Sequence, residues 1–549
     1  MKDFYLKPKL FSVMKTYNKG QFLKDLIAGI IVAIIALPLS IALAIASGVD
    51  PACGIYTAIA AGFVISFLGG SRVQIAGPTA AFATIVAGIV ATQGMGGLIL
   101  ATILAGIMLI LMGVFKLGSL IKFIPSTITV GFTAGIAVTI FLGQIKDFLG
   151  ITYAPGVKPV ETIDKLMANI DHITTVTWQS LLVGAICLAI LIIYPKFEKR
   201  VPPSLIATVV GALLVNLIPA LNDGVYTIGE LYNIPSGLPK IDFSGIDLSL
   251  KGIGAALPNA FTIAILAAIE SLLSCVVADS MVNSKHNSNT ELVAQGVGNI
   301  ASVMFGGIPA TGAIARTAAN VKNGGRTPVA GMVHAVVLLM VLLFLMPYAG
   351  LIPMPTIAAI LFMVAYNMSE WKKFVRITKT APKSDIAVMV ITFALTVIFD
   401  LVIAIEFGMI LALLMFMKNA SDQASVKSWN YESEHNGEPL KAVPKNVRVY
   451  EISGPMFFGA ADKILDINFK EYTNCLILRM RSVPTMDSTA MNFLDVLYKK
   501  CVDRNITLIL SHVNPQPLEL MKKSGFYDAV GEKNFCPHID DALKLASEI

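Results

Sequence analysis

Several stretches of this chain run for about 20 residues without a charged side chain, the length that crosses ~30 Å of hydrocarbon. Leu26–Gly48 and Gly97–Phe115 are the clearest. A water-soluble core cannot absorb many such stretches, because the charge needed to keep it dissolved is missing. Only 14% of the 549 residues are charged and 55% are apolar, whereas soluble proteins carry roughly 25% charge. Mean hydropathy is +0.72. The pattern predicts a polytopic α-helical membrane protein and excludes a soluble enzyme, a nucleic-acid binder and a secreted disulfide scaffold. The six cysteines are scattered without CxxC or metal-ligand spacing, so they read as reduced core residues. No metal and no cofactor is expected.

The apolar runs predict fourteen membrane segments, at about 26–48, 54–69, 74–92, 96–115, 127–149, 178–195, 203–220, 256–282, 290–305, 309–321, 328–347, 350–366, 384–400 and 402–417. Positive charge tests this reading. The first 24 residues hold six lysines but no apolar core of signal-peptide length. If they are cytoplasmic, even-numbered segments leave on the same side. The loops there carry Lys116 and Lys122, then Lys196, Lys199 and Arg200, Lys285, Lys322 and Arg326, and finally a cluster from Lys372 to Lys383. Loops 150–177 and 221–255 mix acids with a few lysines. Both ends are therefore expected inside a bacterial-type inner membrane.

Composition changes after Met417. Residues 1–25 read as a cytoplasmic segment, 26–418 as the membrane domain, 419–445 as a polar linker and 446–549 as a small α/β domain. Strand-like VRVYEIS, CLILRMR and ITLILSH alternate there with helical 460–467, 488–502, 515–524 and 538–548.

Two segments are too rich in Gly, Pro, Ala and Thr to cross as ordinary helices. The third reads VQIAGPTAAF from Val73, and the tenth GGIPATGAIART from Gly306. Each has an extended start, then a proline that cannot continue a helix backward, then Thr and small residues opening a helix. Their registers match: Pro78 follows Ser40 by 38 positions, and Pro309 follows Glu270 by 39. Interrupted segments in corresponding places point to an inverted-repeat transporter, here seven plus seven spans. Two half-helices meeting head to head present unpaired N–H groups and two positive dipole ends, an anion site that needs no basic side chain. Proline kinks in packed helices are the plainer reading of either segment alone.

Glu270 and Arg316 are the ionisable residues deepest in the spans, where charge is costly and usually functional. Arg316 lies near the mouth of the second half-helix and adds positive charge to the anion site. Glu270 is expected either to pair with Arg316 or to act as a protonatable gate that releases it. Ser274 lies one turn along on the same face and contacts substrate or coupling ion, or serves helix packing. Asp400 and Glu406 read as interfacial, and Asp279 as helix-end solvation.

The motifs ALPLSIALAIASGVDPACGIYTAI, GGSRVQIAGPTAAF, AAIESLLSCVVADSM, GGIPATGAIARTAANVKNGGRTPVAG and YEISGPMFFGAADKI resemble the SulP (sulfate permease) family of anion transporters over essentially the whole chain. The resemblance implies core and gate domains, a C-terminal STAS domain, a homodimer and alternating access. It places Thr79, Ala80, Ala81, Ala313, Ile314, Ala315 and Arg316 at the half-helix starts, and Glu270 at the acid of the eighth span. One departure stands out. Where many members read Leu-Pro-Gln, this chain has Leu37-Pro38-Leu39-Ser40, so Ser40 is the candidate replacement for the glutamine. Met486-Asp487-Ser488-Thr489 resembles the STAS loop, in which Ser488 is a regulatory candidate and Asp487 or Ser488 a plain helix cap.

No GxxxxGK[ST] motif is present, so an ATP-driven pump is not expected, nor an enzyme. The expected activity is secondary active transport of a small anion. Proton-coupled sulfate uptake ranks first, since Arg316 supplies the fixed positive charge and Glu270 a proton site. Sodium-coupled bicarbonate uptake, C4-dicarboxylate transport, an exchanger, a channel and a STAS-reporting sensor are the alternatives.

Overall fold

The computed structural model describes residues 6–119, 125–157, 159, 161–198, 201–232, 237, 245–399, 401–428, 443–470 and 472–549. It separates into two compact units, residues 1–409 and 410–549. Lys122, Lys199, Arg200, Asp400 and most of the 419–445 stretch lie outside the described residues.

Every expected span carries a helix. These are α1 (Lys19–Ala46), α2 (Pro51–Leu68), α3 (Ala80–Val114), α4 (Ser126–Leu149), α5 (Trp178–Phe197), α6 (Pro203–Leu217), α7 (Leu250–Val282), α8 (Ser288–Met304), α9 (Ile314–Lys322), α10 (Val329–Phe344), α11 (Met354–Met368), α12 (Lys383–Ile398) and α13 (Leu401–Gln423). The 35-residue α3 holds two spans, because Gly94 (φ 69°, ψ −174°) breaks it in the left-handed region. Among the described residues, six of these helices (α1–α5 and α7) are long and apolar enough to cross a membrane by length and composition. The sequence explains where they start and stop. Asn18, Ser249 and Asn287 cap α1, α7 and α8 through their side chains, Pro51 occupies the first turn of α2, and Asn283 in the left-handed conformation ends α7.

The helices sort into two sets. In one, α1, α2 and α3 pack with α7, α8, α9 and α10; in the other, α4, α5 and α6 pack with α11 and α12. The division is the one expected of core and gate. Ile300 of α8 lies against Gly106 in the second half of α3, so span nine meets span four. Gly331 of α10 lies against Ser66 of α2, so span eleven meets span two. The second contact is the first with the repeats exchanged. Within the first set, strand β1 (Ala76–Gly77) pairs antiparallel with β2 (Thr311–Gly312), in the register Ala76↔Gly312 and Gly77↔Thr311.

The second unit is an α/β domain. Its five-stranded sheet has the order β3 (Ser425–Ser428), β4 (Val447–Ser453), β5 (Cys475–Ser482), β6 (Thr507–Ser511) and β7 (Phe535–Cys536), with β3 antiparallel and the rest parallel. Helices α14 (Ser488–Asp503), α15 (Pro515–Lys523) and α16 (Ile539–Ser547) follow the strands. The expected helix at 460–467 is a 3-10 turn, Ala461–Asp466. Where 419–445 reads as linker, the described part is ordered: α13 runs on to Gln423 and residues 425–428 form the edge strand β3. Asp487 caps α14 by accepting from the Ala490 N–H at 2.8 Å, while Ser488 is exposed in the first helical turn. All six cysteines are free, four of them buried.

Candidate anion site

The two broken segments form a strand followed by a half-helix, as their prolines require. Thr79 and Ala313 are the N-cap residues of α3 and α9, both in extended conformation, and neither cap is closed by a side chain. The first N–H groups of both helices, beginning at Ala80 and Ala81 and at Ile314 and Ala315, therefore keep their donors. Ala80 and Ala81 are buried, whereas Ile314 and Ala315 are exposed.

A polar lattice holds the two starts together. The Ala313 N–H donates to the Ile75 carbonyl at 2.8 Å, continuing the β1–β2 ladder. The Ile75 N–H donates to Thr317 Oγ1 at 3.0 Å, and Ser274 donates to the same oxygen at 3.3 Å. Ser271 contacts the Thr311 hydroxyl at 2.7 Å and accepts from the Gly312 N–H at 3.1 Å. The Asn299 side chain bonds both the N–H and the carbonyl of Ala310, at 2.8 and 2.9 Å. Gln74 accepts from the Cys275 thiol. Every strand group satisfied in this way would otherwise be orphaned in a dry interior.

Arg316 is 3% exposed and reaches across the fold: its Nη2 donates to the Pro78 carbonyl at 2.9 Å, tying the second half-helix to the residue before the first. Its Nη1 has no partner. Gly77 makes this possible, because a Cβ there would lie 2.5 Å from Nη1. No carboxylate lies within ion-pair distance of Arg316 among the described residues. The expected Glu270–Arg316 pair is thus absent from this conformation. Glu270 instead accepts from the Thr79 hydroxyl at 3.0 Å and remains partly exposed.

The other candidates are placed less openly. Ser274 is fully buried in the lattice. Ser40 is fully buried, with a hydroxyl that finds no partner. Its neighbour Leu39 packs against the apolar cluster of the other helix set that includes Val183, Cys187 and Ala359. Gln74, Ser271, Asn299, Thr311 and Thr317 were not singled out from sequence. The available signal was an amide side chain inside an apolar run at Gln74 and Asn299.

Comparison with known proteins agrees with this architecture. Residues 22–392 match the sulfate permease family and residues 438–542 the STAS domain. YvdB of Bacillus subtilis, whose sulfate-transporter name is provisional, is 41% identical over 536 residues, 96% of this chain and 98% of its own. The solved transmembrane domain of BicA, a cyanobacterial bicarbonate transporter, is 30% identical with a TM-score of 0.62, covering 72% of this chain and 98% of that one. The murine Slc26a9 anion transporter, solved in an inward-facing state, aligns with a TM-score of 0.89 over 100% of this chain and 95% of its own. At 17% identity that likeness speaks for the fold alone. The sequence motifs, the paired half-helices and the α/β tail converge: this chain belongs to the sulfate permease family of membrane anion transporters and carries a C-terminal STAS domain.

Proposed function

We propose that the chain is a secondary active carrier that binds a small oxyanion between the starts of α3 and α9, with sulfate as substrate and protons as the coupling ion. The observation that carries this reading is the uncompensated Arg316 guanidinium, whose free Nη1 sits beside two uncapped helix N-termini. An anion there receives charge-assisted bonds from Arg316 and backbone donors from Ala80, Ala81, Ile314 and Ala315, with Thr79 and Ala313 as the cap residues and Ser40 of α1 as a further candidate.

Glu270 supplies the coupling. When ionised, its carboxylate places negative charge next to the anion's seat and is held by Thr79. A proton removes that repulsion and turns the Glu270 hydroxyl into a donor, so anion and proton enter together. Ser274 supports this arrangement through Thr317. The two helix sets move against each other in alternating access. We place the N-terminus and the STAS domain on the cytoplasmic side of the inner membrane, in a homodimer, with Ser488 exposed for modification.

Sodium-coupled bicarbonate uptake is the second reading, favoured by the likeness to BicA at 30% identity. Radiolabelled sulfate, bicarbonate and succinate uptake into proteoliposomes, with proton and sodium gradients imposed separately, decides between the two. Sulfate accumulation that follows the sodium gradient and ignores the proton gradient would overturn the proton assignment.

A further inference from the structure

A second concentration of positive charge lies away from the half-helices, at the end of the first unit where α1 begins. A polar cavity of 280 Å³ opens there, lined among others by Tyr17, Asn18 and Gln21 at the start of α1, Arg72 after α2, and Arg326 and Thr327 before α10. That volume holds a tetrahedral oxyanion with waters around it.

Its two arginines are sparsely engaged. Among the described residues Arg72 has no hydrogen-bond partner, and its Nε is buried. Arg326 uses Nη1 alone, on the backbone carbonyls of Val321 and Gly325 at 2.7 and 2.8 Å. Neither forms an ion pair among the described residues. The carboxylate beside the cavity, Asp25, is fully buried and already engaged. It accepts from Tyr17 at 3.1 Å, Gln21 at 2.9 Å, the Thr327 hydroxyl at 2.5 Å and the Arg326 N–H at 2.9 Å. Burial, with Asp25 next, pushes the Tyr17 phenol up to about 12, so it stays a donor. A guanidinium is always charged, and a buried unpaired N–H is costly. That cost falls on Arg72 Nε, while Arg326 is exposed; two guanidinium groups lining one cavity suit an acceptor with several oxygens, which arginine grips in its planar fork.

We propose that this cavity is a second anion site, separate from the half-helix site, which holds a phosphate-type oxyanion between Arg72 and Arg326. The oxyanion comes either free from solution or as the headgroup of an anionic lipid, and both sources present the same chemistry to the arginines.

The test maps arginine protection on the full-length protein. Phenylglyoxal modification of Arg72 and Arg326 is followed by peptide mass spectrometry under three conditions: detergent with inorganic phosphate, nanodiscs of phosphatidylcholine, and nanodiscs containing phosphatidylglycerol. Phosphate protecting both arginines assigns a soluble oxyanion. Protection only with phosphatidylglycerol assigns the headgroup. Equal modification rates in all conditions overturn the proposal. Where phosphate protects, its thermal stabilisation is then compared in variants. Arg72→Gln and Arg326→Gln should each weaken phosphate binding about ten- to hundredfold, while Arg316→Ala retains it. The reverse pattern places phosphate at the half-helix site and overturns the assignment. The protection map needs only the wild-type protein, so a variant that fails to fold leaves the proposal testable.

Discussion

The hydroxyl of Thr79 donates to a carboxylate oxygen of Glu270 across 3.0 Å, joining the cap of the first half-helix to a residue 191 positions further along the chain. The acid of the second repeat is therefore wired to the helix start of the first. Glu270→Gln preserves a hydrogen-bond partner for Thr79 while removing the titratable group. It should keep anion binding and anion-for-anion exchange but lose accumulation driven by an inward proton gradient. Uptake by proteoliposomes with and without that gradient is the comparison, and full gradient-driven accumulation in the variant would show that Glu270 is structural.

Arg316→Ala removes a buried charge with an open donor and a bond to Pro78. Charge-assisted bonds of this kind contribute about 1.5–3 kcal/mol each, so affinity should fall roughly ten- to hundredfold or more. Arg316→Lys should recover only part of it, because a point charge cannot bond Pro78 and the anion with one planar fork. Calorimetric titration of the purified variants with sulfate measures both.

Gly77→Ala tests placement without touching charge. The added Cβ would stand 2.5 Å from Nη1, so the guanidinium must shift. Substrate affinity should drop while size-exclusion behaviour stays that of the native protein. Unchanged binding would mean that Arg316 works from another position.

The edge strand β3 gives a stability prediction for the tail. Residues 425–428 pair with 450–453, so a fragment of 419–549 should melt above one of 443–549. If the strand contributes about 1 kcal/mol, the difference is roughly 4 °C for a domain of this size. Asp487→Ala, which removes the α14 cap, should cost about 1 kcal/mol in either fragment. Thermal circular dichroism reads both, and equal melting points for the two fragments would make β3 dispensable.

Sequence resolved the membrane unit well because hydrocarbon imposes length and polarity on every crossing segment. The break in α3 at Gly94, which turns left-handed, falls between the expected spans 74–92 and 96–115. The half-helix starts were legible from the matched pair of segments, although α9 begins at Ile314, five residues beyond Pro309, with β2 in between. Side-chain partners were not. Depth in the membrane suggested that Glu270 and Arg316 would meet, yet rotamer and helix rotation decide contacts, and these send Glu270 to Thr79 and Arg316 to Pro78. The edge strand β3 escaped notice for a related reason: SVKS carries little apolar alternation, and its pairing depends on a β4 partner over twenty residues away.

The two-residue ladder between β1 and β2 has a consequence for selectivity. Drawing the helix starts apart would break the Ala76–Gly312 and Gly77–Thr311 pairs, along with the bonds from Ser271, Thr317 and Asn299 that brace them. The gap between the starts of α3 and α9 is thus a fixed gauge, cut when the chain folds. For an anion bound between the helix starts as proposed, the ladder would set the width of its seat, and a substitution that breaks it should loosen discrimination by ionic radius.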